Sequence, residues 1–131
     1  MRYREGMGEV SGGWLERLEP GRLAFNRGAY FEAHELWEDV WHGLDAGARP
    51  VERLAVQGLI QIAAGLHHLQ QSRPRPAGQL LRKGLAKLSS EAFPPTAGLR
   101  VGTLARDVAG LLVQLEAPGG PELPDPGSVQ L

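Results

Sequence analysis

The chain has 131 residues, a length that suits one compact domain with its own hydrophobic core. Hydrophobic residues make up 42% of it and charged residues 22%, the composition of an ordinary globular protein rather than a disordered one. The net charge of -1 provides no positive field for nucleic acid or an anionic membrane. The absence of cysteine excludes disulfides, thiolate nucleophiles and cysteine-ligated zinc.

The cellular compartment is predicted from the start of the chain and its apolar segments. The first eleven residues are charged and rich in glycine, without the apolar run of a signal peptide. The longest apolar stretch, residues 59–69, is interrupted by Gln61, His67 and His68 and is too short to span a bilayer. These features predict a soluble cytoplasmic protein with no membrane partner.

The first two predicted helices follow a loose N-terminal arm of residues 1–13. Pro20 suits the first turn of a helix, and Gly28 suits the left-handed residue that ends one. A second helix is predicted over residues 29–42, where apolar residues recur on one face. The residues of that face are Ala33, Leu36, Trp37, Val40 and Leu44.

The third predicted helix, over residues 51–71, is apolar around most of its circumference. A helix of that kind lies at the centre of a bundle. One polar stripe interrupts it, formed by Gln57, Gln61 and His68. Small residues beside this stripe, including Gly58, would let a neighbouring helix approach closely.

Two further helices and a tail complete the predicted architecture. Pro74 and Pro76 are expected to break the chain before a fourth helix over residues 77–88, and a fifth helix follows the next two prolines. Residues 117–131 are rich in proline and glycine, have no period and are predicted to form a tail. The fold class is therefore all-α, a single-domain bundle of about five helices that spans residues 14–116.

The densest group of ionisable residues lies on the second predicted helix. His34 and Glu38 are four residues apart and therefore neighbours on one helix face. Trp41 borders that face, while Glu35 lies further round the helix and Glu32 further still toward solvent.

The polar stripe of the third helix can supply partners for this face. A buried polar group left unpaired costs about 1–3 kcal/mol, so the two stripes are expected to meet. We predict a polar pocket between the second and third helices, in which a glutamate or glutamine bridges His34 and His68. Its members are Glu32, His34, Glu35, Glu38, Trp41, Gln57, Gln61 and His68.

Three interpretations of this pocket are open. In the first it is a structural hydrogen-bond network. In the second, His34, Glu38 and His68 bind zinc or iron in a metal-dependent hydrolase or oxygenase, with Glu35 as candidate general base. In the third it binds a small molecule or performs acid–base chemistry without metal. A binding or structural role leads, and no cofactor is firmly indicated.

Two further features concern partners. The tail carries Leu123, Val129 and Leu131 among prolines, and Trp14 is expected to be partly exposed, so the chain is predicted to contact a second copy of itself. A cluster of basic residues is interpreted as a solvated face, which makes a nucleic-acid partner an outside alternative. The cluster comprises Arg73, Arg75, Arg82, Lys83 and Lys87.

Two motifs resemble a known family. They read Phe25-Asn26-x-Gly28-x-Tyr30-Phe31-Glu32-Ala33-His34-Glu35, followed by Glu38 and Trp41, and then Gly58-Leu59-Ile60-Gln61, followed by His68. They are similar to the small prokaryotic helical family known as domain of unknown function 309, over residues 20–88. The resemblance implies a compact helical bundle and a polar motif, but no reaction. Residues 72–77 depart from the family, because prolines replace its usual glycine turn.

Overall fold

The computed structural model describes residues 13–94, 97–117, 126 and 129–131. Within these residues the protein contains five α-helices, a further helical segment at residues 13–17 and one short 3-10 helix, and no β-strand. The α-helices are α1 (Glu19–Asn26), α2 (Tyr30–His42), α3 (Pro50–Gln70), α4 (Pro74–Lys87) and α5 (Val101–Glu116), and the 3-10 helix is Ser90–Ala92. The predicted all-α fold is confirmed.

The start of the fourth helix differs from the prediction. Helix α4 begins at Pro74 rather than residue 77, and it includes Pro76. The first N–H groups of any helix have no acceptor within the helix, so prolines there lose no hydrogen bond. The N–H of Ala77 donates to Arg73 O at 3.1 Å. Residue 77, where the helix was predicted to start, therefore makes a backbone hydrogen bond typical of a first helical turn.

Helix α3 is the central element, as its apolar pattern predicts. It packs against α2 and α4, and its buried residues surround most of its axis. The contact with α4 is backbone against backbone: a Cβ atom on Gly84 would lie 2.7 Å from Gly58 O. No helix in the described residues is long and apolar enough to cross a bilayer.

The aromatic core lies where α1 meets α2. Trp37 is fully buried, its Nε1 donates to Leu18 O at 3.1 Å, and its ring centroid is 5.6 Å from that of Phe25. Trp14 was expected to be partly exposed, but it is only 3% exposed. A helical segment at residues 13–17 turns Trp14 inward against Phe93, 5.9 Å away between ring centroids.

The described end of the predicted tail contacts α1 and α2. Tyr30 Oη donates to Pro126 O at 2.7 Å, and the N–H of Leu131 donates to Asn26 Oδ1 at 2.7 Å. Val129 and Leu131 are buried in the main hydrophobic cluster. Two of the apolar residues on which the predicted self-contact depended are therefore buried within one chain.

Residues 1–12 of the predicted arm and Leu123 lie outside the described residues. Self-association stays a prediction. It now lacks its original basis at Trp14 and at the end of the tail, since those side chains are covered by the chain itself.

Candidate functional site

Helices α2 and α3 run antiparallel beside each other. Phe31 near the start of α2 contacts His67 near the end of α3, with ring centroids 5.2 Å apart. At the other end, Arg53 Nε donates to the carbonyl oxygen of Leu44 at 3.1 Å. The pair of helices therefore carries the two predicted polar stripes along a common interface.

Six of the eight predicted pocket residues are half-buried along this pair of helices. We call their surface the polar groove. It comprises His34, Glu38 and Trp41 of α2 with Gln57, Gln61 and His68 of α3. The other two differ: Glu32 is exposed and pairs with Arg27 at 2.8 Å, and Glu35 is exposed on the acidic outer side of α2.

His34 is held by neighbours on its own helix. Its Nε2 lies 3.6 Å from Glu38 Oε2, as the spacing of four residues predicts, and the Phe31 ring stacks on it with centroids 5.8 Å apart. Glu38 keeps 45% of its side chain exposed. The other ring nitrogen of His34, Nδ1, is buried and has no hydrogen-bond partner.

Two more ring nitrogens in the polar groove share this property. Nδ1 of His68 and Nε1 of Trp41 are buried without a hydrogen-bond partner. The predicted direct bridge from a glutamate or glutamine is therefore absent at Nδ1 of both His34 and His68. Such unpaired buried atoms are rare in folded proteins and require an explanation.

Gln61 of α3 has a hydrogen-bond partner on α4. Its Oε1 accepts a hydrogen bond from Lys87 Nζ of α4 at 2.8 Å. The sequence analysis placed Lys87 on a solvated basic face. Arg82, another residue of that predicted face, forms an ion pair with Glu116 of α5. The basic residues of α4 thus contact neighbouring helices at two points.

The described residues contain no group of three or more histidine, aspartate or glutamate side chains arranged to hold a metal ion. His34 and Glu38 are close, but His68 does not join them in such a group. The hypothesis of zinc or iron bound by His34, Glu38 and His68 therefore gains no geometric support.

Arg53 is the main residue that sequence reasoning missed. Its guanidinium carbon lies 3.6 Å from the centroid of the Trp41 ring, a cation–π contact. The signal was present in the spacing, because Arg53 is four residues before Gln57 and so shares its side of α3. A cavity of about 150 Å³ opens here, lined by Trp41, Ala46, Pro50, Arg53, Leu54 and Gln57.

His67 is expected to titrate below its ordinary pKa of 6.5. Burial lowers the pKa, and the nearby charges of His68, Arg73 and His34 lower it further. The unfolded chain then binds more protons than the folded one between the two pKa values. Stability contributed by neutral His67 is therefore complete above 6.5 and is lost as the pH falls through this window.

An NMR titration of the histidine ring protons checks this expectation. The midpoint assigned to His67 should lie below 6.5. His67→Gln should also reduce the fall in melting temperature between about pH 8 and pH 5. His42→Gln is the matched control, because it removes an exposed histidine that is not among the groups that shift the pKa of His67. A His67 midpoint at or above 6.5 would contradict the burial argument.

Comparison with known proteins supports the family resemblance. The model of the family described as "Domain of unknown function (DUF309)" matches residues 18–80, which include α2 and α3 in full. An uncharacterized protein of Aquifex aeolicus (strain VF5) is 28% identical over 75 residues, or 57% of this chain. The chain spans only 22% of that relative's length. No solved structure matches the chain significantly.

Proposed function

We propose that this chain, whose residues 18–80 resemble the DUF309 family, is a binding protein that holds a small polar ligand in the polar groove. One observation carries the proposal: Nδ1 of His34, Nε1 of Trp41 and Nδ1 of His68 are buried without partners. Each such atom costs the folded protein about 1–3 kcal/mol. A ligand that bonds to them, once the side chains turn toward it, would recover that free energy.

The three nitrogens define what the ligand must present. Glu38 lies beside Nε2 of His34, which favours the tautomer with its proton on Nε2 and leaves Nδ1 as an acceptor. Trp41 Nε1 can only donate. The ligand therefore carries at least one hydrogen-bond donor and one acceptor, as an amide, a hydroxy acid or an amino acid does.

The setting of these atoms favours a ligand over a closed structural network. The polar groove is half-buried rather than sealed, and Phe31 at its edge is 51% exposed. Binding sites combine apolar and aromatic walls with a few fixed polar groups, and those groups here stand on two packed helices. In the structural alternative, no ligand bonds to the three nitrogens.

The tryptophan indole groups provide a built-in reporter for a ligand screen. Trp37 Nε1 is bonded to Leu18 O, whereas Trp41 Nε1 has no partner. A library of small amides, hydroxy acids and amino acids, followed by 15N–1H NMR, should give compounds that move the Trp41 signal and leave Trp37 in place. His34→Ala and His68→Ala should each weaken such binding at least tenfold, which is about 1.4 kcal/mol.

Asp39→Ala is the control, since Asp39 is exposed on the same helix and lies outside the polar groove. The stability of His68→Leu separates the two readings further. If the groove exists to bind a ligand, removing an unpaired buried nitrogen should leave stability unchanged or raise it. If His68 belongs to a structural network, the same change should cost about 1–3 kcal/mol. That loss, together with a screen in which no compound moves Trp41, would overturn the proposal.

A further inference from the structure

The cavity beside Trp41 has a chemistry of its own. It lies at the end of the polar groove where α3 begins, and we call it the Arg53 pocket. Arg53 and Gln57 contribute its polar side chains, and Ala46, Pro50 and Leu54 contribute its apolar ones. Trp41 belongs to both the Arg53 pocket and the polar groove.

Arg53 is fixed in place by two contacts that leave its charge without a counterion. Its Nε donates to Leu44 O at 3.1 Å, and its guanidinium carbon sits 3.6 Å from the Trp41 ring centroid. Neither contact supplies a negative charge. Among the described residues, no aspartate or glutamate pairs with Arg53, so its terminal nitrogens keep donors available for a ligand.

The acidic residues nearest to Arg53 in sequence are occupied elsewhere. Glu52 lies 3.8 Å from Arg49 Nη1. Asp45 Oδ1 accepts a hydrogen bond from the backbone N–H of Gly47 at 2.7 Å, which stabilises the turn after α2. Both carboxylates therefore already have partners other than Arg53.

We propose that the Arg53 pocket binds the carboxylate of a small aliphatic acid, and this inference rests on the proposed binding role of the polar groove. A guanidinium held at its Nε still offers paired donors that match a carboxylate. The Gln57 amide is a further donor on a residue that lines the same cavity. The apolar walls of Ala46, Pro50 and Leu54 suit a short hydrocarbon group.

The volume of the cavity suits a small ligand. It measures about 150 Å³, whereas pockets that enclose drug-sized ligands measure roughly 300–1,000 Å³. A branched acid of four or five carbons matches this volume better than a peptide or a nucleotide does. The carboxylate would lie at Arg53, and any polar substituent on the acid would extend toward the unpaired nitrogens of the polar groove.

The test uses 3-methylbutanoate as the probe and 3-methylbutanamide as its neutral counterpart of the same shape. Titrations of the full chain are followed through the Trp41 indole signal. We expect the acid to bind at least tenfold more tightly than the amide. Arg53→Gln should remove this preference, and Arg53→Lys, which keeps the charge but loses the planar fork, should retain only part of it.

Arg49→Gln is the matched control, because Arg49 is one turn away and already pairs with Glu52. It should change the affinity less than twofold. If Arg53→Gln loses signal dispersion, the acid-to-amide ratio measured on Arg53→Lys and on the unmodified chain still decides.

Equal binding of acid and amide, or an Arg53→Gln variant that binds the acid as tightly as the unmodified chain, would overturn the carboxylate assignment. Either result leaves the polar groove free to bind other compounds. Failure of the wider proposal has a different signature, in which no library compound moves Trp41 and His68→Leu is destabilised.

Discussion

Replacing Gly84 with alanine is expected to lower the free energy of unfolding by about 3 kcal/mol, the upper end of the usual range for overpacking. The new Cβ atom would lie 2.7 Å from Gly58 O and 2.8 Å from Ile62 Cγ1. Real Cβ atoms do not approach other atoms so closely. A backbone oxygen cannot rotate away as a side chain does, so α3 and α4 would have to separate.

A second glycine of the same helix provides the control. A Cβ atom on Gly78 would meet nothing within 4 Å, so Gly78→Ala should raise stability by about 0.5–1 kcal/mol through helix propensity. Urea denaturation of the two variants measures both effects under identical conditions. If Gly84→Ala unfolds at the same urea concentration as Gly78→Ala, the close crossing of α3 and α4 is wrong.

The same crossing has a consequence for the polar groove. Lys87 is three residues after Gly84, and its Nζ donates to Gln61 Oε1 at 2.8 Å. Moving α4 away from α3 would remove that bond and leave Gln61 free to rotate. The helix crossing at Gly58 and Gly84 therefore positions Lys87 beside Gln61 of the polar groove, as well as setting the packing of the core.

Much of the fold was predictable because helix periodicity is a local property. The apolar stripe containing Trp37 located α2, and the all-round apolar pattern of α3 identified the central helix. The start of α4 was placed too late because a proline reads as a helix breaker, although it suits a first turn. The burial of Trp14 could not be predicted, since it depends on Phe93 far along the chain.

The candidate site was predictable only within each helix. The spacing of four residues placed Glu38 beside His34, as observed. Contacts between helices depend on crossing angle and register, which close backbone packing decides and which a single sequence does not reveal. The bond from Lys87 to Gln61 and the stacking of Arg53 on Trp41 were missed for that reason.

The first sequence motif divides into two parts in the structure. Asn26 and Tyr30, near its beginning, bond to residues 131 and 126 at the other end of the chain. His34 and Glu38, near its end, face the polar groove. The first residues of this continuous motif thus anchor the predicted tail, and its last residues form part of the candidate site. Residue spacing alone does not separate these two roles.

This division predicts a large loss of stability at a position far from the candidate site. Leu131→Ala should lower the free energy of unfolding by about 2–5 kcal/mol, as for other leucines in packed cores. Leu131 is fully buried in the main hydrophobic cluster, and alanine would leave a cavity beside α1. Val113→Ala, at a surface position that is 69% exposed, should change stability by no more than about 0.5 kcal/mol.

Asn26→Ala tests the polar half of the same contact. The variant lacks Asn26 Oδ1, which accepts the N–H of Leu131 at 2.7 Å. The free energy of unfolding is therefore expected to fall by about 1–3 kcal/mol. Because the tail contacts α1 and the start of α2, the Trp41 indole signal should stay in place in both variants. A Leu131→Ala variant as stable as Val113→Ala would show that the end of the chain is not part of the core. A shift of the Trp41 signal would instead show that the tail and the polar groove are coupled.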